Sequence, residues 1–221
     1  MPGCAARPSG RWYAARVPQD GLARSLDSAL SKIGAFFVNQ SPVQKAAHAI
    51  ARRLDELEID YAIAGALCLG AHGVVRATED VDVLLSREGL ERFKAQWLGR
   101  GYVNLRPQGK AVRDTEHEVK IDFLLVGDYP GDRRPKPVHF PHPKDAAVAA
   151  GTLRVLALPR LVELKLASGM TAPHRLQDLA DVLRLIEAAK LPRAFASSLD
   201  PYVQAKFDEL WQSAQHPEDD Y

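Results

Sequence analysis

Asp80 and Asp82 are separated by one apolar residue, and the run Asp80-Val81-Asp82-Val83-Leu84-Leu85 has the alternation of an extended strand. On such a backbone the two carboxylates share one face while Val81, Val83 and Leu85 share the other, which must be core. Neighbouring carboxylates repel, so a half-buried pair either takes up a proton or gathers a cation. A hard divalent ion with oxygen ligands, Mg²⁺ above all, suits such a pair; a solvated acidic strand end is the plainer alternative. A second alternating run follows from Glu118 to Val126. Val119, Ile121, Phe123 and Leu125 fall on one face, and Glu118, Lys120 and Asp122 on the other. If this strand lies beside the first with apolar faces aligned, Asp122 projects onto the carboxylate face, with Glu118 in reserve. The alternative is an edge strand with a mixed-charge solvent face.

Two further groups stand out. Lys165 falls in the middle of the apolar face that Leu158, Leu161 and Val162 define on a helix opened by Pro159. A lysine there is costly unless its ammonium emerges into a cleft or meets an acid. Asp178 lies beside the stripe Leu176, Leu179, Ala180, Leu183 and Ile186 of the next helix, and Asp181 is expected further round toward solvent. His117, His139 and His142 lack the spacing of a zinc site.

The elements that must position these residues follow from periodicity and punctuation. Ser41-Pro42 starts a helix that runs to about residue 58, with Ser as cap and Pro in the first turn. Residues 61–64 read as a core strand, Gly65-Ala66 as a tight turn, and the residues to about Gly73 as a short helix that leads to the acidic strand. Residues 87–99 predict an amphipathic helix, 102–105 a strand, 106–115 a basic loop and 127–143 a turn-rich segment. Two short strands, 146–149 and 153–156, precede helices over 159–168 and 175–189, and Asp200-Pro201 caps a last helix to about Ala214. Ahead of all this, residues 21–38 carry an apolar helical stripe on Leu22, Leu26, Leu30, Ile33 and Phe37 that would dock on the main body. Residues 1–19 and the acidic end 218–221 read as flexible tails.

The chain of 221 residues divides by these signs into a tail with a docking helix (1–40), a core (41–158) and a C-terminal helical region (159–221). Lysine and arginine number 29 against 28 aspartates and glutamates, a net charge of +1. That balance argues against a broad nucleic-acid-coating surface and leaves room for a local basic cleft. The two cysteines, Cys4 and Cys68, make neither a disulfide framework nor a metal site, which suits a reducing cytoplasm. Neither a membrane span nor a secretory leader is expected.

The stretch Ala64-Gly65-Ala66, thirteen residues, then Asp80-Val81-Asp82 resembles the signature of the nucleotidyltransferase superfamily, the DNA polymerase beta-like fold. Ala66 stands where that family has Gly or Ser, so a hydroxyl contact to phosphate is missing while backbone N–H groups remain. Arg76-x-Thr78-x-Asp80-x-Asp82 resembles the bacterial branch that includes AbiEii-type toxins. Leu164-Lys165-Leu166-Ala167 and Arg175-Leu176-Gln177-Asp178-Leu179-Ala180-Asp181 are similar to the Lys and Arg-x-Lys-Asp-Leu-x-Asp motifs of that branch, with Gln177 replacing a Lys.

This resemblance, over about 41–189, implies an α+β fold: a small mixed β-sheet flanked by helices, with a C-terminal helical part. It implies that Asp80, Asp82 and Asp122 hold two Mg²⁺ ions roughly 3.5–4 Å apart. Asp122 would also accept the acceptor's proton, and Asp178 would assist catalysis or hold a basic partner. Gly65, Ala66, Arg76, Thr78 and Lys165 would line the nucleotide site, with Thr78 bracing the turn into the acidic strand. The substrate would be an NTP such as ATP. The acceptor would be a hydroxyl on tRNA, a protein or a small molecule, and a toxin of this kind would have a cognate antitoxin protein as partner. Two other readings stay open: a catalytically silent binding module, which Ala66 and Gln177 favour, and an antibiotic-type small-molecule adenylyltransferase.

Overall fold

The computed structural model describes residues 41–215; the segment 1–40, with its expected docking helix, and the acidic end 218–221 lie outside the described residues. Helix α1 (Pro42–Glu56) starts as its sequence requires. The Ser41 hydroxyl accepts the Gln44 N–H at 3.2 Å while the Gln44 side chain accepts the Ser41 N–H, a reciprocal cap. Val43, Ala46, Ala47, Ile50, Ala51 and Leu54 are its buried face. A turn through Ile59 delivers β1 (Tyr61–Ile63), which is wholly buried.

Short helix α2 (Gly65–Ala71) and a loop lead to β2 (Asp80–Leu85). Then come α3 (Arg87–Trp97), β3 (Tyr102–Asn104), β4 (Ala111–Asp114), β5 (Val119–Leu125), α4 (Pro143–Ala146), β6 (Ala147–Ala150) and β7 (Leu153–Leu156). Seven strands form one mixed sheet in the order β3-β4-β5-β2-β1-β7-β6. The β2–β5 and β1–β7 pairs are parallel and the rest antiparallel. The chain is thus α+β, a mixed sheet flanked by helices. Because β5 sits between β4 and β2, the edge-strand alternative for residues 119–125 falls.

Strand β4 occupies what the sequence suggests is a basic loop. Its single buried apolar side chain, Val112, sits opposite Ile121, and the strand exists because β3 and β5 supply ladder partners on both sides. On the apolar face, Val81, Val83, Ile121 and Phe123 are buried, and Phe93 of α3 packs on Phe123 and edge-on against Tyr102 at 5.0 Å between ring centres.

Helices α5 (Leu158–Thr171), α6 (Leu176–Ala188) and α7 (Pro201–Gln215) pack on one another, with 3₁₀ turns at Pro173–Arg175 and Arg193–Ser198 between them. Every residue of α5 from Leu161 to Gly169 is buried, Glu163, Lys165 and Ser168 included. Helix α6 buries Asp178, Asp181, Val182, Leu185 and Ile186, a different frame from the expected stripe. Leu176, expected inward, is 67% exposed because the helix begins with it, just outside the interface.

Candidate functional site

Strands β2 and β5 run parallel in a register that sets Asp80 beside Lys120 and Asp82 beside Asp122. Alternation then places all four side chains on the polar face, each partly buried, over the apolar layer of Val81, Val83, Ile121 and Phe123. Asp82 lies close against Gly65, the first residue of α2, whose φ of +59° is a left-handed conformation that glycine adopts freely. A Cβ at residue 65 would overlap the Asp82 Oδ2, so the close approach of carboxylate to backbone also requires glycine. Burial, and then the like charges of Asp80 and Asp122, push the Asp82 carboxyl up to about 6, while Lys165 and Arg175 pull the other way.

The outer two acids have partners of their own. Thr78 donates its hydroxyl to Asp80 Oδ1 at 2.8 Å and to the Asp80 carbonyl at 3.2 Å, bracing the entry to β2. Asp122 forms an ion pair with Lys120, and the hydrogen bond between them is the main reason the Lys120 ammonium holds its proton above the ordinary range. Among the described residues, no three His, Cys, Asp or Glu side chains are drawn together into a group that could hold a metal ion as they stand. The strands bring Asp80, Asp82 and Asp122 onto one face, but the closed cage implied by resemblance is not formed. Their chemistry nevertheless fits a hard divalent cation: three carboxylates against a single ammonium leave two negative charges, and a bound ion would relieve the crowding on Asp82. Glu118, the reserve candidate, belongs to the turn before β5 with φ of +57°, pairs with Arg113 at 3.6 Å and stands apart.

A second ionic cluster lies between α5 and α6. The buried Lys165 ammonium donates to Asp178 Oδ1 at 3.0 Å and to Asp181 Oδ2 at 2.7 Å. Asp178 Oδ2 also accepts from the Ser168 hydroxyl at 2.7 Å and from Arg175 Nε at 3.0 Å. Burial works to raise the Asp178 carboxyl, but Lys165, the Ser168 hydroxyl and Arg175 outweigh it and hold the group below its ordinary value. Asp181, expected toward solvent, is fully buried. It accepts from Gln177 Nε2 at 3.1 Å and lies 3.3 Å from Arg76 Nη1, so three side chains turn it inward.

The structure therefore sets Lys165 and Arg76 against acids of α6, not against the strand acids. The Arg76 Nε is buried without a hydrogen-bond partner among the described residues. Ala66 is buried in α2 and offers no hydroxyl. The sequence by itself assigns no role to Ser168, Arg175 or Lys120. Lys120 was the legible one of the three, since a residue two before Asp122 must share its face. Asp178 and Asp181 at i, i+3 also signalled a common partner.

No protein-family profile matches the chain, and no curated protein matches it in sequence. Among solved structures, ANT(2'')-Ia in complex with adenylyl-2''-tobramycin is 17% identical with a TM-score of 0.45, covering 77% of this chain and 97% of that one. JHP933 from Helicobacter pylori is 16% identical with a TM-score of 0.44, covering 78% and 89%. The STING-associated CdnE c-di-GMP synthase from Capnocytophaga granulosa is 12% identical with a TM-score of 0.35, covering 81% and 61%. Likeness at this level leaves the chemistry of the chain to be read from its own side chains.

Proposed function

We propose that the chain transfers a nucleoside monophosphate from an NTP to a hydroxyl acceptor on the polar face of β2 and β5, the acceptor oxygen bonding to the α-phosphorus as the α–β phosphoanhydride breaks and pyrophosphate leaves. The observation that carries this reading is the register that seats Asp82 beside Asp122, with Asp80 next along, while the bare backbone of Gly65 leaves room for the Asp82 carboxylate. Asp80, Asp82 and Asp122 would hold the divalent cation, which when bound neutralises phosphate charge and acidifies an attacking hydroxyl.

The chain's own residues do the rest. Thr78 fixes the Asp80 carboxylate, and Gly65 gives Asp82 its seat. Asp122, partly exposed beside Lys120, is the group to take the acceptor's proton. Lys165 and Arg175 set a positive potential beside Asp82 that favours an incoming polyphosphate. Lys165 acts there through its field and through the acids it orders; Arg175, half exposed, is better placed to touch the substrate. On this reading residues 41–158 carry the acids, and 159–221 supply the cations behind them.

The acceptor is a tRNA hydroxyl on the toxin-like reading, with a silencing antitoxin as partner, and a small molecule on the antibiotic-type reading. A silent binding module is the remaining reading, since Gln177 spends its amide on Asp181. Incubation with Mg²⁺, each α-labelled NTP, and either total tRNA or cell extract separates them. Label on RNA, on a small molecule or on protein names the acceptor. An absence of transfer together with an absence of cation-dependent NTP binding leaves only the silent module. Asp80→Ala with Asp82→Ala should abolish transfer in a chain that still folds; activity in that double variant would refute the site.

A further inference from the structure

We propose that Lys120 is a tethered competitor for the divalent cation, an ammonium on the acid face that occupies Asp122 until the ion displaces it. This rests on reading that face as a cation site. Lys120 is the cross-strand neighbour of Asp80 and lies two residues before Asp122 on the same face, so its stem rises among the three acids. Its ammonium is paired with an oxygen of Asp122, and no other ammonium pairs with Asp80, Asp82 or Asp122 among the described residues.

Two contrasts give the pair its meaning. Lys165 is buried between two acids and cannot leave without stranding them, whereas the Lys120 side chain is 44% exposed on a flexible stem. It can swing into water and leave Asp122 open, because an exposed ion pair is weak and its partners resolvate. And while it stays, Asp122 is withheld, so a divalent ion has to win that oxygen from a ligand already in place. An ion of charge two does so where a monovalent one does not, since it gains more from Asp80, Asp82 and Asp122 together. Once displaced, the ammonium stands at the rim of the same face, where an anionic substrate enters.

The test is Mn²⁺ binding to the full chain without nucleotide, followed by calorimetry and by the loss of the free-ion spin signal, with Mg²⁺ as competitor. Lys120→Gln should tighten binding on the order of three- to tenfold, as expected when a weak exposed pair no longer has to be broken. Lys120→Arg should stay near the wild-type value. Metal-free Lys120→Gln should melt at a lower temperature than wild type and regain more on adding Mn²⁺. The gain should vanish when Lys120→Gln is made in Asp122→Asn, because the competition is for that carboxylate. If the gain persists there, Lys120 acts only by its field and the proposal is overturned; unchanged or weaker binding in Lys120→Gln overturns it as well. Should neither wild type nor Lys120→Gln bind Mn²⁺, the cation site itself falls and this inference with it. Wild-type binding with an indifferent Lys120→Gln removes the inference alone.

Discussion

Two groups of ionised side chains, one on the sheet and one between helices, are balanced in opposite ways. On β2 and β5 three carboxylates face one ammonium, and Asp82 is crowded enough to hold its proton up to about pH 6. Between α5 and α6 two carboxylates meet Lys165, Arg76 and Arg175, with Ser168 and Gln177 filling the remaining oxygens. A cluster whose carboxylate oxygens are all met by donors holds helices in place. One left with surplus charge has capacity for something from outside. Two aspartates close in sequence to other acids thus mean different things depending on how many cations reach them.

The sharpest way to break this contrast is to remove one acid from each cluster. Asp181→Ala leaves the buried Lys165 half paired and takes the acid from the partly exposed Arg76, and it should cost about 3–5 kcal/mol in urea unfolding. Asp80→Asn on the sheet should change stability by less than about 1 kcal/mol. Equal costs would mean that both clusters are structural.

Gly65→Ala tests the seat of Asp82. The left-handed backbone and the overlap with the carboxylate should together cost about 1–3 kcal/mol in thermal melts. Adding Asp82→Ala should return the part that comes from the overlap, and failure to recover anything would show that backbone strain alone is at work.

The two clusters should also respond to pH with opposite sign. Asp82 rises from an ordinary 3.8 to about 6, so the stability it lends the metal-free fold is complete below about pH 4 and is lost as pH climbs through 6. Asp178, held below its ordinary value, contributes stability above that value and loses it as the solution is acidified. Asp82→Asn should therefore flatten the slope between pH 4 and 6, a difference on the order of 1–2 kcal/mol after solvent screening. A slope unchanged by that substitution would mean that Asp82 titrates normally.

Much of the sheet is legible because β5 alternates along its whole length and β2 does so through its two acids, and alternation of the kind seen in Val119, Ile121, Phe123 and Leu125 has a single explanation. Strand β4 is not, because a strand with one core residue is specified by its neighbours and not by its own pattern. The frame of α6 misled for a related reason. Leucines at 176, 179 and 183 outweigh two aspartates in any count of apolar residues, yet the aspartates face inward because Lys165 on another helix awaits them. A sequence shows that Lys165 needs an acid; it does not show which acid. For the candidate site, the residue types and shared face could be read in advance, while Lys120 closing on Asp122 and Thr78 on Asp80 are matters of rotamer.

Arg76 reaches from the loop ahead of β2 to Asp181 in α6, and two residues later Thr78 grips Asp80. The seam that composition suggests near residue 158 is therefore sewn across at a point just upstream of the acidic strand. A fragment ending there would strand a guanidinium whose counter-charge had been cut away, and the first place to slacken would be the threshold of Asp80 itself. Whoever trims this protein for study should keep the helices that look dispensable.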